Sequence, residues 1–464
     1  MTPADPSHRT TRIEQISIVS PGRTILRDAC VEFVDGVITW VGPQSEASSR
    51  PVDQRIAGNG ALCLPGFVNT HNHTPLMIVR GMVEDLGFAP AYTPGIPQGH
   101  WLSEEETYLL ARLGQLELLC AGCTTMVDYY RAPQALARAA LDTGLRAWIG
   151  GRVMDADTAE LAEGRFRRDP VLGERTLRDA TDLITHWDGA DQGRIRCVHA
   201  PHAPDTCSRD LLREVATLAN QDGRDVHTHL AQSPLEVAHV RQREGIGPAE
   251  LLDAVGLLGP RTLAAHCIYL SESEIALAGT RGLTVCHAPV GNATFGATAP
   301  IEALRRAGAH ITLCTDTKTA DMFETMRMAI VAARMRAEGR FVLDAQTVLA
   351  WATVDGAAAL GRTDLGRIEV GCRADLIMLD PDAPSLTPQV DGAGIVVHSG
   401  SAGHVRQVFV DGEALVQDGR PTQSDAREVV RAAQAVADRL WARAGYKGRA
   451  MMNAIESVRD GIKG

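Results

Sequence analysis

The stretch DVHTHLAQSPLEV, residues 225–237, decides how the rest of the chain is read. A short apolar ramp ends in His227 and His229, and the chain then runs on into the helix-like LEVAHVRQREG, closed by Gly245. Residues i and i+2 of a strand point to one face, so the two histidines face the same way. A strand that ends in metal-capable side chains and hands over to a helix is a β/α unit with chemistry at its C-terminal end.

The same unit recurs on both sides of it. From about Leu64 to Leu365, strand-like runs (TTMVDYY, RAWIGGRV, RIRCVHAP, TLAAHCI, LTVCHAP, HITLCTD) alternate with helix-like ones, several ending in Gly (SEEETYLLARLGQLELLCAG, APQALARAALDTG, SRDLLREVATLANQDG, APIEALRRAGA). Alternation over about 300 residues indicates a parallel sheet, and eight units of this length fit a (β/α)8 TIM barrel better than a doubly wound sheet. Both ends read as β: ISIV and ACVEFVDGVITWVG with Asp35-Gly36 at a hairpin turn, then GRIEVGCRADLIMLD and VRQVFVDGEALVQDG with Asp411-Gly412 at another. The expected organisation is a composite β-sandwich domain from residues 1–63 and 366–423, a barrel over 64–365, and C-terminal helices over 424–464.

Composition narrows the class. The 464 residues are 45% hydrophobic, with a net charge of −11 and no Lys/Arg block, which argues against a nucleic-acid groove or a membrane-surface patch. No apolar run approaches the length of a membrane span, and the N-terminal MTPADPSHRTTR lacks the apolar core of a secretory signal. Ten scattered cysteines are then read as buried free thiols of a cytoplasmic protein. Cys120 and Cys123 form a lone CxxC without a second pair at zinc-site spacing, so they are read as structural.

Nearly every strand-like run ends in a titratable residue: His71 and His73, His199 and His202, His227 and His229, His266, His287 and Asp316. In a barrel these ends share one rim, where such enzymes place their sites. One such histidine is usually structural; five strand ends carrying them, and a sixth carrying aspartate, point to a metal centre.

Four separated motifs, LPGFVNTHNH (64–73), HTHLAQ (227–232), AAHC (264–267) and CTD (314–316), resemble those of the metal-dependent amidohydrolase superfamily in order and spacing over essentially the whole chain. PHAPDTCS (201–208) and HCIYL (266–270) resemble its branch of triazine hydrolases and S-adenosylhomocysteine/methylthioadenosine deaminases. The resemblance implies His71, His73, His229 and Asp316 as metal ligands, with His266 as the electrophilic or proton-handling histidine. Three neutral imidazoles and one carboxylate suit Zn²⁺ with an open position for water; Co²⁺ or Mn²⁺ also fit the donor set. Such an ion brings the pKa of bound water toward about 7, and Asp316 is expected to hold that hydroxide or take its proton. Binuclear relatives carry a bridging lysine on the fourth strand; RIRCVHAP has none, which implies one metal.

Gln232 departs from the resemblance. In the deaminase branch the motif is similar to HLAE, and its glutamate passes a proton to a ring nitrogen. An amide has no useful pKa for that task, and Glu236, on the following helix, is expected to be displaced from the metal. One reading is that the substrate already has a polarisable carbonyl. Hydroxide on the metal would attack a small amide, urea, carbamate or thiocarbamate, as in the phenylurea and thiocarbamate herbicide hydrolases this chain resembles, releasing an amine or thiol. The alternative is an aminohydrolase or dechlorinase of a heteroaromatic ring of adenosine, pterin or s-triazine type. A third, a non-catalytic binding protein on this fold, is disfavoured because all four ligand positions are filled.

Further candidates to contact substrate are Gln232, His202, His287, Arg152, Glu84 and Trp101. The Pro/Gly/aromatic-rich FAPAYTPGIPQGHWL, with Tyr92, Pro97 and Trp101, reads as a specificity loop, and Asp321, Met322 and Phe323 as a helix start that shapes the pocket. The expected partner is a small-molecule substrate, with assembly into a homodimer or homotetramer.

Overall fold

The computed structural model describes residues 9–86, 93, 96–97, 99–158, 160–317 and 319–445. Tyr92 and residues 446–464 of the expected C-terminal helices lie outside the described residues.

Eight parallel strands run through the middle of the chain in sequence order: Phe67–Asn72, Cys123–Tyr130, Arg146–Val153, Ile195–Pro201, Val226–Leu230, Thr262–His266, Thr284–His287 and His310–Leu313. Helices follow the strands and take their caps where the sequence places them. Ser103 and Glu106 form a capping box on Glu104–Cys120, Ser233 caps Pro234–Glu244, and Gly144, Gly223 and Gly245 close their helices in the left-handed region. Upstream of the histidines on the barrel strands, Val68, Val127, Trp148, Val198, Leu263, Ala265, Cys286 and Cys314 pack together. This fills the barrel below its rim with a dry core.

The ring closes at the future site. Asn72 bridges Asp316 in parallel register; Asp316 N–H donates to His71 O (3.1 Å) and His73 N–H to Asp316 O (3.0 Å). The first and last strands are therefore stitched together through the backbone of the expected ligands.

The chain ends meet as expected, but as one hydrogen-bonded mixed sheet of nine strands, from Thr10–Ile18, Leu26–Val34, Val37–Pro43, Gln54–Ala57 and Leu62–Pro65 at one end and Leu376–Leu379, Val405–Val410, Glu413–Gln417 and Arg420–Pro421 at the other. Phe33 and Phe409 lie four strand steps apart in that sheet, about 19 Å if it were flat, yet their rings are 6.3 Å apart. The sheet therefore curls on itself around Ile13, Ile16, Val31, Phe33, Cys63, Leu376 and Phe409. A single curled sheet does the work expected of two sandwiched ones. The two Asp-Gly turns face each other: Asp35, Gly36, Asp411 and Gly412 all have positive φ, and a Cβ on Gly36 would lie 2.2 Å from Asp411 O. Of GRIEVGCRADLIMLD only Leu376–Leu379 is a strand.

All ten cysteines are free thiols; Cys120 is half-buried and the others are buried. No helix among the described residues is long and apolar enough to cross a membrane.

Candidate metal centre

His71 and His73 arrive from the first strand end, His229 from the fifth, His266 from the sixth and Asp316 from just after the eighth. The four histidines are buried, while the Asp316 side chain keeps 17% exposure at the mouth. His266 (φ 74°) and Asp316 (φ 62°) both hold left-handed backbone, a strain that persists where surrounding structure imposes it, as at functional sites.

Ligand-capable atoms of His71, His229 and His266, and of His71, His73 and Asp316, lie within 4.8 Å of one another. Hydrogen bonds assign the proton positions of two imidazoles. His73 Nδ1–H donates to Tyr129 O (2.7 Å) and His229 Nδ1–H to His202 O (2.8 Å), so each presents an Nε2 lone pair. Those two Nε2 atoms are 3.0 Å apart. Asp316 Oδ1 lies 3.4 Å from His71 Nε2, which has no hydrogen-bond partner among the described residues, and 3.9 Å from His73 Nε2. Acceptors converging on acceptors repel unless a cation lies among them. Three imidazoles and one carboxylate fit a divalent ion of zinc type. Burial holds His73 and His229 well below the ordinary imidazole pKa, in the neutral form an ion requires. For Asp316, burial opposes ionisation, but His71, His266 and His73 beside it keep the carboxyl well below its usual range.

Around these groups lie residues that sequence reasoning did not assign. The Tyr129 hydroxyl lies against the His229 ring, 2.6 Å from Nδ1 and 3.1 Å from Nε2. Asn292 Oδ1 is 3.0 Å from His266 Nδ1; accepting the proton there, it leaves His266 Nε2 as the other ring atom for chemistry. His227 Nε2 lies 2.7 Å from His71 Nδ1. The paired tyrosines of TTMVDYY, at a barrel strand end, were the available signal for Tyr129; nothing local in the sequence marks Asn292.

The weaker expectations divide. Gln232 is buried (4% exposed), and its Nε2 has no hydrogen-bond partner among the described residues. Glu236 accepts from Ala231 N–H and Gln232 N–H, both at 2.8 Å, so its two carboxylate oxygens brace the loop that carries Gln232. His202 packs on His229, with ring centroids 4.9 Å apart, and Thr206 lies at its Nδ1 (2.7 Å). His287 is buried, its Nδ1 without a partner among the described residues; burial lowers its pKa to about 3, with a further contribution from His266. The Arg152 guanidinium lies over Tyr130, and charge repulsion from it lowers the His73 pKa further.

His199 turns away to Asp222 (2.8 Å), because alternate residues of a strand face opposite ways. Trp101 packs under Arg443 of the helix Ala426–Arg443, and Glu84 lies in the short helix Val83–Leu86. Asp321 caps Met322–Arg336 through Phe323 N–H (2.8 Å), and Phe323 packs edge-on against Phe67.

The amidohydrolase family model matches residues 62–415. The chain is 33% identical over 431 residues to a 5'-deoxyadenosine deaminase of Methanosarcina mazei, covering 92% of this chain and 96% of that one. It is 33% identical over 401 residues to a 5-methylthioadenosine/S-adenosylhomocysteine deaminase of Desulfitobacterium hafniense (85% and 90% covered). Among solved structures, a zinc-bound adenosine deaminase from Xanthomonas campestris superposes with TM-score 0.83 at 29% identity over 93% of this chain and 98% of that one. A triazine hydrolase from Arthrobacter aurescens shares the fold, with TM-score 0.82 at 24% identity over 92% and 99%.

Proposed function

The chain belongs to the amidohydrolase family, a metal-dependent hydrolase family acting on carbon–nitrogen bonds, and from that premise we propose a mononuclear enzyme that cleaves a carbonyl compound: a small amide, urea, carbamate or thiocarbamate. The observation that carries this reading is at residues 232 and 236. The position where the resemblance calls for a proton-shuttling glutamate is Gln232, and the nearby carboxylate, Glu236, has both oxygens engaged by backbone N–H groups. Protonating an aromatic ring nitrogen thus lacks its usual group, whereas a carbonyl carbon is electrophilic without it.

His71, His73, His229 and Asp316 would hold the ion, most simply Zn²⁺. When bound, it supplies Lewis-acid activation of water and of the substrate oxygen. Asp316, ionised and at the mouth, accepts the proton of the attacking water and delivers it to the departing amine or thiol. His266, oriented by Asn292, faces the carbonyl oxygen as charge develops. Gln232 offers its amide N–H₂, without a partner among the described residues, to a substrate acceptor. His202, His287 and Arg152 line the approach.

The relatives favour a second reading, deamination of an adenosine-like ring, with a different group handling the ring proton. The test is a panel of N-aryl ureas, anilides, carbamates and thiocarbamates beside adenosine-type, pterin and triazine amines, on metal-analysed enzyme, with products followed by mass spectrometry. Free amine or thiol from a cleaved carbonyl is the expected result. Exchange of a ring amino group for oxygen would replace this proposal with the second reading.

A further inference from the structure

The HTHLAQ motif carries two histidines, and the metal accounts for only one. His227 is fully buried, and its Nε2 lies 2.7 Å from Nδ1 of His71. An imidazole that binds an ion through Nε2 keeps its proton on Nδ1, and that N–H needs an acceptor. For His73 the acceptor is the Tyr129 carbonyl and for His229 the His202 carbonyl. His71 has a side-chain nitrogen facing its Nδ1 instead.

We propose that His227 is a positioning residue for the metal centre: a neutral imidazole whose Nε2 accepts the Nδ1–H of His71 and so keeps His71 Nε2 open to the ion.

Two pairings of these rings satisfy their contact, and only one is competent. If His227 Nε2–H donated instead, the proton of His71 would sit on Nε2, facing Asp316 Oδ1 at 3.4 Å and filling the lone pair that the ion needs. The competent pairing puts the remaining proton on His227 Nδ1, a buried atom with no hydrogen-bond partner among the described residues. Such an unpaired donor is unfavourable in itself; the lone pair it secures on His71 offsets it once metal is bound. A neutral acceptor has a second consequence. A carboxylate at this position would add a negative charge next to the ligand set and make the ion less acidic, whereas with His227 the only anionic group in the set is Asp316. The alternation of a strand then explains the motif: residues 227 and 229 share a face, one for His71 and one for the ion.

This inference rests on the metal-centre reading, and its experiment separates the two. Wild type, His227→Gln, His227→Leu, His227→Asn and His71→Ala are stripped of metal, and Zn²⁺ affinity is measured by competition with a chromogenic chelator. The visible spectrum after Co²⁺ loading is recorded in parallel. Gln can place an oxygen near the Nε2 position, Asn is too short, and Leu has no acceptor. His227→Leu and His227→Asn are expected to weaken Zn²⁺ binding by about 10–100-fold and to alter the Co²⁺ bands, with His227→Gln staying within about threefold of wild type. The metal-free variants should melt alike. Wild-type affinity in His227→Leu or His227→Asn would overturn the proposal. So would a loss in His227→Gln as large as theirs. If His71→Ala also kept wild-type affinity, the metal centre itself would be misplaced; if only His71→Ala lost Zn²⁺, the role of His227 alone would fall.

Discussion

The two ends of the barrel each bury a cluster of charged or chargeable groups, and the clusters are opposites. At the N-terminal end, Arg146 pairs with Asp375 (3.1 Å) and Asp411 (2.6 Å), Arg194 with Asp411 and Glu413 (both 2.9 Å), and Arg373 with Asp411. Donor meets acceptor throughout, although Arg146 and Asp375 keep only 3% and 2% exposure. Burial alone would raise the Asp411 pKa; Arg146 and Arg373 instead hold it down at about 2. At the C-terminal end, acceptor meets acceptor: His73 Nε2 lies 3.0 Å from His229 Nε2 and 3.9 Å from Asp316 Oδ1. A buried polar cluster that is complete joins two parts of a fold, here the barrel and the curled sheet. One in which imidazole and carboxylate lone pairs converge could hold a cation.

The comparison can be broken from either side. Replacing His71, His73 or His229 by Ala should abolish turnover and bound metal, and Asp316→Ala should cost at least about a hundredfold in kcat, read by steady-state kinetics and elemental analysis. Full activity and retained metal in any of the three histidine variants would sink the assignment. Asp375→Ala, which leaves Arg146 short of a buried partner, should destabilise the fold by about 3–5 kcal/mol in chemical denaturation while the surviving folded protein keeps its metal. Metal loss without destabilisation would mean the two ends are not separable. Asn292→Ala, which frees His266 without touching the ligands, should lower kcat by about 10-fold with metal content unchanged. A smaller effect comes from acid. Imidazole binds metal only when deprotonated, and burial lowers the pKa of His73 and His229, so the neutral forms persist as pH falls below the ordinary value of about 6.5. Metal content should therefore survive dialysis just below that pH and fall only in more acid buffer; release centred at 6.5 would show ordinary, solvated imidazoles.

The barrel was legible because its units are local. Alternating apolar runs, a Ser cap and a closing Gly each act within a few residues, and strand ends in a barrel share a rim by topology. His71, His73, His229, His266 and Asp316 could be gathered on paper for that reason. What a local reading left open was non-local or irregular. His199 reads like its neighbours but faces Asp222, since a short run does not fix which face is inward. Trp101 sits in an insertion and met the C-terminal helix. The composite β domain forms from both chain ends as expected; that it is one curled sheet depends on strand order, which pairs Leu62–Pro65 with Leu376–Leu379 across some 300 residues of chain.

The sequence by itself determined the residue types of the centre, their strand-end positions and the missing acid at Gln232, all properties of spacing and side-chain chemistry. Only the tertiary structure decided which nitrogen of each imidazole faces the centre, that Glu236 is spent on backbone N–H groups, and that His227 stands behind His71. Those depend on which carbonyl, amide or ring arrives from another strand, and the chain reveals that only once the barrel has closed.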